Sequence, residues 1–556
     1  MVAPPSRPAT TGAPKNGDCL LSTIPGLAGR GESNLCRTTI YGWRDLSVKP
    51  VLVTTISSEA RCWAIKELAR RAGVTRDFFN SWTIEIRPDV TIVYVQPETR
   101  KQIRFRTLSS ESCSGLAGPN FHTIHAGWMS PPEEPVKSAI PDLVVPFCEE
   151  VENGKRSLFW RANADRVECF VDLPASALFS LCRVEEEELQ HRDIHSRFTA
   201  AMSVARRDAF LDRPIVDECG LAFEQALKAL LPGWRPTRYP LRVKISHDVD
   251  DIGGCAWVRQ VNLHADRKWL GRVSWTAMPF DLRHAIKLSI HNHSPIQGAA
   301  HLLRTMAPGQ PSCLDLVQTV VSAPLKRGLD SAVYWMASRL GPFDSGYDPR
   351  DNKVRNAICR LRELGVENGV HPGYQTFRRP LELEAEVQTL RTVLGEQQLG
   401  GRQHYLRWCP ETWMDWENCG LAYDNTVGYA DHWGFRAGTC IPYRPWLLPL
   451  NREARLLEIP LIVMDTTLLE YMRLLPDEML DLVSQLIRKC RVVGGVFTFL
   501  CHNTTMRDVT FVQQYERILD MVGSGERFDW KSQLSDDLLR FSDLGQHQVF
   551  AGKAVA

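Results

Sequence analysis

Short apolar runs alternate with helical segments along the C-terminal half of the sequence, and this alternation limits the fold more than any other feature. The runs are RVKIS, SAVYWMA, NGV, HYLRW, LEIPLIVMD and GGVFTFL, which begin at residues 242, 331, 368, 404, 457 and 494. Strands separated by helical crossovers pair in parallel, so the pattern predicts an α/β fold with a parallel sheet. We expect a (β/α) barrel, in which the carboxyl ends of all strands meet at one mouth.

Several of these runs end in polar residues that can carry out chemistry. The sequence SHDVDD overlaps the end of the first run at residues 246–251, His371 follows NGV, Arg407 lies within HYLRW, and His502 comes shortly after GGVFTFL. Carboxylates at the end of a buried strand are costly unless a partner or a metal ion neutralises them. The sequence therefore predicts a cationic centre at the barrel mouth, shared by residues far apart in the chain.

The spacing within SHDVDD suggests how two carboxylates could share this centre. Residues two apart on an extended segment point the same way, so Asp248 and Asp250 can face one site while Val249 faces the wall. With His371 they resemble the mixed oxygen and nitrogen ligand set of a hydrolytic metal centre. One carboxylate would bind the metal, the other would take a proton from water, and His502 could protonate the leaving group. Alternatively, the carboxylates are helix caps and the histidines are structural core residues.

Longer motifs occur in a fixed order around these residues. They are SHDVDD, SAVYWMA, ENGVHPGY, RQHYLRWCPET, YDNTVGYADHWGFRAGT and GGVFTFLCHNTT. The series resembles that of NodB-type polysaccharide deacetylases. Two stretches at 177–198 and 210–218, ALFSLCRVEEEELQHRDIHSRF and FLDRPIVDE, further resemble a bacterial branch with an uncharacterised N-terminal module. The resemblance implies a distorted (β/α) barrel preceded by a smaller α/β domain, and a divalent metal, commonly zinc, that supports removal of acetyl groups from sugars.

The resemblance also assigns roles to individual residues. By position, Asp248 resembles the catalytic base, and Asp250 and His371 resemble the first two metal ligands. Arg407 resembles the arginine that orients the base, and His502 resembles the catalytic acid. A guanidinium suits the orienting role because it pairs with a carboxylate through two donors and keeps its charge.

The third metal ligand departs from the family pattern. The family has another histidine four residues after the first, whereas this chain has Gln375, whose neutral amide is a poor zinc ligand. His404 could take that place, although on a regular strand it would face away from Arg407. The first motif also allows the adjacent pair Asp250 and Asp251 to act, with the base and ligand roles exchangeable.

The motif at 423–439 supplies candidates for the substrate cleft. Asp424 and Asp431 could line the cleft, while Tyr429 and Trp433 could stack on a sugar ring. Packing accounts for the two aromatic residues equally well. Cys501 is better explained as a buried thiol than as a nucleophile.

Changes in composition along the chain predict three parts. Residues 1–42 are rich in Pro, Gly, Ser and Thr and are expected to be a flexible tail. An α/β module is expected at 43–234, with strands TIVYVQ and VECFVDL and a helix at 218–231, followed by a linker at 232–240. The deacetylase-like barrel is expected at 238–545. We expect the N-terminal module to pack over the barrel mouth and to limit substrate size.

Composition excludes several other classes of protein. Lys and Arg number 66 against 65 for Asp and Glu, so the net charge of +1 gives no field that would attract nucleic acid or an anionic membrane. The 16 cysteines are scattered without a CxxC pair, which indicates free thiols in a reducing compartment. The sequence contains neither a secretory signal nor an apolar run long enough to span a membrane. We therefore expect a cytoplasmic location.

These features together predict a metal-dependent hydrolase that removes an acetyl group from an N-acetylated or O-acetylated sugar or glycan precursor. Two alternatives remain at this point. One is a catalytically silent barrel that binds glycans or a partner protein, which the glutamine at position 375 would allow. The other is an amide hydrolase with a non-sugar substrate.

Overall fold

The computed structural model of the protein describes residues 56–107, 124–127, 142–145, 159–169, 171–189, 191–253, 286, 289, 295–305, 311–523, 525–535 and 550–551. The predicted tail at 1–42 lies outside these residues. The helices are α1 (Ser58–Arg71), α2 (Arg76–Asn80), α3 (Leu173–Leu181), α4 (Val184–Glu188), α5 (Val204–Arg207), α6 (Ile215–Leu230), α7 (Pro295–Thr305), α8 (Cys313–Lys326), α9 (Asn352–Glu363), α10 (Pro380–Leu394), α11 (Pro410–Asn418), α12 (Pro476–Val493), α13 (Val509–Val522) and α14 (Trp530–Ser535). Among the described helices, none has the length and apolar character needed to cross a membrane.

The strands form two large sheets and two small ribbons. The strands are β1 (Thr83–Ile86), β2 (Val90–Gln96), β3 (Lys101–Arg106), β4 (Ile124–Gly127), β5 (Asp142–Val145), β6 (Phe159–Asn163), β7 (Arg166–Cys169), β8 (Arg242–Asp248), β9 (Ser331–Trp335), β10 (Glu367–Val370), β11 (Gly400–Gly401), β12 (Tyr423–Asp424), β13 (Trp446–Leu447), β14 (Arg452–Glu453), β15 (Leu457–Glu458), β16 (Val463–Met464), β17 (Val496–Leu500), β18 (Glu526–Arg527) and β19 (Phe550–Ala551).

The first large sheet lies mainly in the N-terminal region. Its order is β19–β1–β2–β3–β7–β6, with both antiparallel and parallel pairs. The runs TIVYVQ and VECFVDL overlap β2 and β7, and the helix predicted at 218–231 overlaps α6. Phe223 of α6 packs on Phe105 of β3, with ring centroids 5.7 Å apart. The amphipathic helix thus covers one face of this sheet.

The second large sheet contains the predicted barrel strands and is parallel throughout. Its order is β15–β12–β11–β10–β9–β8–β17–β16, and β18 pairs with β8 at its side. The predicted runs that begin at residues 242, 331, 368 and 494 correspond to β8, β9, β10 and β17. Parallel pairing places the carboxyl ends of all these strands at the same edge of the sheet.

The two edge strands of this sheet are neighbours in the chain, which forces the sheet to curl. β15 ends at Glu458 and β16 begins at Val463, and a chain segment of this length spans at most about 18 Å. Eight strands laid flat would span roughly 34 Å. The edges must therefore approach each other, and the sheet forms a curled half-barrel.

The predicted strand at 457–465 is two strands because Pro460 interrupts it. Proline has no N–H to donate to a neighbouring strand. Its carbonyl oxygen accepts a hydrogen bond from Thr498 Oγ1 at 2.6 Å, and the same oxygen atom of Thr498 accepts from the backbone N–H of Ile462 at 2.8 Å. This break carries the chain from one edge of the half-barrel to the other.

The predicted strand at 404–408 is wrong. The sheet residues here are Gly400 and Gly401, which form β11, and His404–Leu406 is a 3₁₀ helix. A Cβ atom at Gly401 would lie 1.8 Å from the carbonyl oxygen of Val370 on β10. Only glycine allows the two strands to approach so closely, so this strand is fixed by the glycines and not by the aromatic run after them.

A single hydrophobic cluster extends through the N-terminal region and the half-barrel. Its buried members include Trp63 of α1 and Phe223 of α6, together with Trp413 of α11 and Phe499 of β17. The side chain of Arg71 on α1 is also buried and pairs with Asp217. Asp217 of α6 accepts hydrogen bonds from Arg71 Nε and from the backbone N–H of Cys440, both at 2.8 Å. The N-terminal region is therefore held to the half-barrel by a shared core and by a buried hydrogen bond from Cys440 to Asp217.

We expect Gly401→Ala to lower the free energy of unfolding by roughly 3 kcal/mol, because the new methyl group would overlap the β10 backbone. Urea denaturation followed by tryptophan fluorescence measures this change. Gly233→Ala is the control, since a Cβ there meets no atom within 4 Å. Equal stabilities of the two variants would contradict the close approach of β10 and β11.

Candidate metal centre

The predicted site residues gather at the carboxyl edge of the half-barrel. Asp248 is the last residue of β8, His371 follows β10, and His502 lies two residues after β17. Val249 is fully buried in the core, and Asp248 and Asp250 on either side of it both approach His371, at 3.7 and 3.2 Å. The alternation read from the sequence thus places both carboxylates on one side.

Asp250, His371 and His404 come close enough together to bind one metal ion. Nε2 of His371 lies 2.9 Å from Nδ1 of His404. Oδ1 of Asp250 lies 3.2 Å from the first of these nitrogens and 3.4 Å from the second. Two ligand atoms that each lie about 2.0 to 2.1 Å from a zinc ion are roughly 2.9 to 3.4 Å apart, if the angle between their bonds to zinc is from about 90° to about 109°. The three distances fit a common metal ion.

Backbone carbonyl groups fix the orientation of both imidazoles. Nδ1 of His371 donates to the carbonyl oxygen of Arg402 at 2.7 Å, and Nε2 of His404 donates to that of Phe343 at 3.1 Å. A carbonyl oxygen can only accept, so each ring carries a proton on that nitrogen. A neutral ring then presents a lone pair on its other nitrogen, as metal-binding histidines commonly do.

The third atom of the cluster has the character expected of a metal ligand. Oδ1 of Asp250 is buried and has no hydrogen-bond partner among the described residues. Burial would raise the pKa of Asp250, but His404, followed by His371 and His502, lowers it below its usual range. The carboxylate is therefore ionised. A divalent cation would interact with this oxygen and with both nitrogen lone pairs at once. A single proton could be shared by only two of these three atoms.

Two other candidate positions do not take part in the cluster. Gln375 lies in a 3₁₀ helix after His371 and is exposed, whereas His371 and His404 are buried. Gln375, at the family's third-ligand position, therefore lies outside the cluster with its side chain facing solvent, and His404 lies in the cluster in its place. Asp251 accepts a hydrogen bond from the N–H of Gly253 at 2.8 Å, in the turn beyond β8.

Asp248 forms a buried ion pair with Arg402. Its Oδ1 accepts a hydrogen bond from Nη1 of Arg402 at 2.8 Å, and the two side chains are 2% and 0% exposed. Arg402 also donates to Ser246 Oγ at 2.8 Å and to the Asn425 carbonyl oxygen at 3.1 Å. These bonds fix the guanidinium, which in turn holds the Asp248 side chain in place at the mouth of the half-barrel.

The predicted partner of Asp248, Arg407, lies elsewhere in the structure, and Arg402 binds Asp248 in the place expected for it. Its Nε donates to the carbonyl oxygen of His195 at 2.8 Å, and its Nη1 donates to that of Tyr374 at 2.5 Å. The guanidinium lies over the rings of Tyr374 and Phe377, at 4.0 and 4.5 Å from their centroids. Arg407 thus joins the N-terminal region to the segment that follows His371.

His502 is paired with Asp465, the residue after β16. Nδ1 of His502 lies 2.6 Å from Oδ1 of Asp465, whose Oδ2 accepts the His502 backbone N–H at 2.8 Å. The other ring nitrogen, Nε2, lies 3.8 Å from Oδ2 of Asp250. Burial lowers the pKa of His502, but Asp465 outweighs burial and raises it to about 10. The imidazole is therefore a cation near neutral pH with one N–H next to the metal ligands.

The predicted substrate residues do not form one exposed cleft. Asp424 and Tyr429 are 0% and 3% exposed, so both side chains are buried and not at an exposed cleft. Asp431 accepts a hydrogen bond from the backbone N–H of Ala200 at 3.1 Å. Trp433 is partly buried against the core. Asp431 thus joins the half-barrel to the N-terminal region, whereas Asp424 accepts the backbone N–H of Thr426 within the half-barrel.

Sequence reasoning missed Arg402 and Asp465. Each directly follows a strand of two residues, β11 or β16. The rule that site residues follow strands at the carboxyl edge would have selected both, had these short strands been placed correctly.

Similarity to known proteins is limited. A family of unknown function (DUF7033) matches residues 98–232, and no curated protein matches the chain. A Mycobacterium smegmatis structure assigned as a polysaccharide deacetylase is 11% identical, with a TM-score of 0.34 over 54% of this chain and 91% of that one. A Pseudomonas aeruginosa PAO1 structure with the same assignment is 12% identical, with a TM-score of 0.34 over 55% of this chain and 95% of that one. The 4-alpha-glucanotransferase of Thermococcus litoralis is 13% identical, with a TM-score of 0.26 over 39% and 34%. Likenesses of this size assign no activity to the chain.

Proposed function

We propose that the protein is a metal-dependent hydrolase that removes an acetyl group from an acetylated sugar. The observation that carries this proposal is the position of Asp250. Its Oδ1 completes the metal triad with His371 and His404, and its Oδ2 lies 3.8 Å from Nε2 of His502. A metal site and a protonated imidazole therefore meet at one carboxylate. The sugar class is supported by the resemblance of the ordered motifs to those of polysaccharide deacetylases.

The donor set fits zinc, which binds imidazole nitrogen and carboxylate oxygen and leaves a position open in hydrolytic sites. A zinc ion held by Asp250, His371 and His404 would supply Lewis-acid activation of water and of the acetyl carbonyl. His404 is a suitable ligand because burial lowers its pKa and favours the neutral ring. In His371, burial lowers the pKa but Asp248 and Asp250 outweigh it and raise the pKa, so protons compete with the metal at acid pH.

Asp248 is proposed to act as the general base. Arg402 binds its Oδ1, which leaves Oδ2 to accept the proton that the attacking water loses. The permanent charge of the guanidinium holds the carboxylate in one orientation throughout the reaction.

His502 is proposed to act as the general acid. When the bond between the acetyl carbon and the sugar nitrogen or oxygen breaks, Nε2–H of His502 gives its proton to the leaving atom, and acetate is released. Asp465 holds the ring through Nδ1 and stabilises its charged form. In this proposal the base is the last residue of β8 and the acid lies two residues beyond β17, with its Nε2 3.8 Å from Oδ2 of Asp250.

The glutamine at position 375 motivated the alternative of a catalytically silent barrel, and His404 supports the hydrolase instead because it supplies a third donor next to Asp250 and His371. A hydrolase acting on a non-sugar amide would use the same residues. Assay of acetylated sugars beside simple acyl-amides separates these two substrate classes.

Replacement of the two carboxylates should have different effects on metal and on turnover. Asp250→Ala should lose both bound zinc and activity, because a ligand is removed. Asp248→Asn should keep zinc but lose about 100-fold or more in kcat, the usual scale for a general base. Zinc content by elemental analysis and acetate release from acetylated sugars measure the two effects.

Asp251→Asn is the matched control and should keep both metal and activity. If Asp248→Asn loses zinc while Asp250→Asn retains it, the base and ligand roles are exchanged. If every variant keeps full activity, the site lies elsewhere.

The charge on Asp465 should set the alkaline limit of activity. The acid must be protonated, so kcat/KM falls as pH rises through the pKa of His502, which Asp465 raises. Asp465→Asn keeps a hydrogen-bond acceptor but removes the charge, and we expect the falling limb to move to lower pH by about 1 unit or more. Asp477→Asn, at a carboxylate that is 92% exposed, is the control. A falling limb unchanged by Asp465→Asn would show that His502 is not the acid.

A further inference from the structure

One loop of the N-terminal region lies against the segment that carries the third metal ligand. This loop, residues 193–198, falls within the match to the family of unknown function. The carboxylate of Asp193 accepts the backbone N–H groups of His195 and Arg197 at 2.9 and 2.8 Å, and Nε of Arg197 at 2.8 Å. These bonds brace the 193–198 loop internally, so it presents His195 and Arg197 in fixed positions.

His195 packs into an aromatic cluster next to the metal ligands. The ring is 7% exposed and lies 5.3, 5.9 and 4.8 Å from the rings of Phe343, Tyr374 and Tyr405. Its Nδ1 lies 3.2 Å from the hydroxyl oxygen of Tyr374, which stacks on Phe343 at 4.0 Å. The carbonyl group of Phe343 is the acceptor that orients His404. Packing against His195 therefore fixes the group that directs this imidazole.

Arg197 contacts the residue that follows the same ligand in the chain. Its Nη1 donates to the carbonyl oxygen of Tyr405 at 3.3 Å and to the hydroxyl of Tyr471 at 3.2 Å. Tyr405 and Leu406, which follow His404, have φ angles of +62° and +51°. Residues other than glycine seldom adopt such left-handed conformations, because the Cβ atom crowds the backbone, and they need support from their surroundings. Arg197 supplies part of that support.

We propose that the 193–198 loop is a positioning element for the metal centre, which it controls through His404. The inference rests on the proposed metal site and gives the N-terminal region a direct part in it. His371 is oriented by Arg402 within the half-barrel, so the loop acts on one of the two imidazole ligands. The loop residues touch the supports of the ligand and not the ligand atoms, and their loss should weaken metal binding without abolishing it.

The test is the zinc affinity of the full chain, measured by competition with a chromophoric chelator. We expect His195→Ala and Arg197→Gln each to weaken zinc binding by about tenfold, as loss of groups that support metal ligands commonly does. His195→Phe keeps the aromatic packing and should remain near the wild-type affinity. Arg213→Gln, which breaks a 2.6 Å ion pair with Glu218 in the same N-terminal region, is the matched control.

Two further measurements separate positioning from general stability. Thermal unfolding of the metal-free variants should remain close to that of the wild type, while the visible absorption of bound Co²⁺ should change in His195→Ala and Arg197→Gln but not in Arg213→Gln. If Arg197→Gln unfolds the apoprotein, Arg197→Lys provides the same comparison, because lysine keeps the charge and loses the fork of donors.

The outcomes for the wild type and for the variants are distinct. A wild-type protein that binds neither Zn²⁺ nor Co²⁺ would contradict the proposed function itself. A wild-type protein that binds both, with loop variants of equal affinity and unchanged Co²⁺ absorption, would show that the 193–198 loop does not position His404.

Discussion

Three electron-rich atoms meet at the mouth of the half-barrel, and bringing their lone pairs so close together costs free energy. The surrounding groups hold the three atoms in place despite this cost. Oδ1 of Asp250, Nε2 of His371 and Nδ1 of His404 lie within 3.4 Å of one another. Backbone carbonyl groups take the remaining N–H of each ring, so neither ring can turn to relieve the contact. Such a cluster is unfavourable without a cation and favourable with one.

Two ion pairs flank this cluster and set the roles of Asp248 and His502 in proton transfer. Arg402 binds Asp248 in a buried pair, while Asp465 holds His502 as a cation. A carboxylate next to a fixed guanidinium can accept a proton, and an imidazolium next to a fixed carboxylate can donate one. Environment thus separates the base from the acid, as in other hydrolytic sites with paired titratable groups.

The sequence predicted the parallel sheet and the gathering of Asp248, Asp250, His371 and His502 at its carboxyl edge, because the apolar runs that precede them are long enough to be recognised as strands. Two glycines carry no hydrophobic pattern, so the sequence does not indicate β11 and points to Arg407 in place of Arg402. The assignment of His404 depended on a 3₁₀ helix with two left-handed residues, which no periodicity indicates. Asp465 was overlooked because Pro460 divides what looked like one strand.

A zinc ion bound at the triad is the central claim, and X-ray diffraction at the zinc absorption edge from crystals grown with zinc tests it most directly. Zinc at the triad should give one strong anomalous peak at about 2.0 to 2.2 Å from Asp250 Oδ1, His371 Nε2 and His404 Nδ1. Zinc bound only elsewhere, or no peak at this site in crystals saturated with zinc, would contradict it.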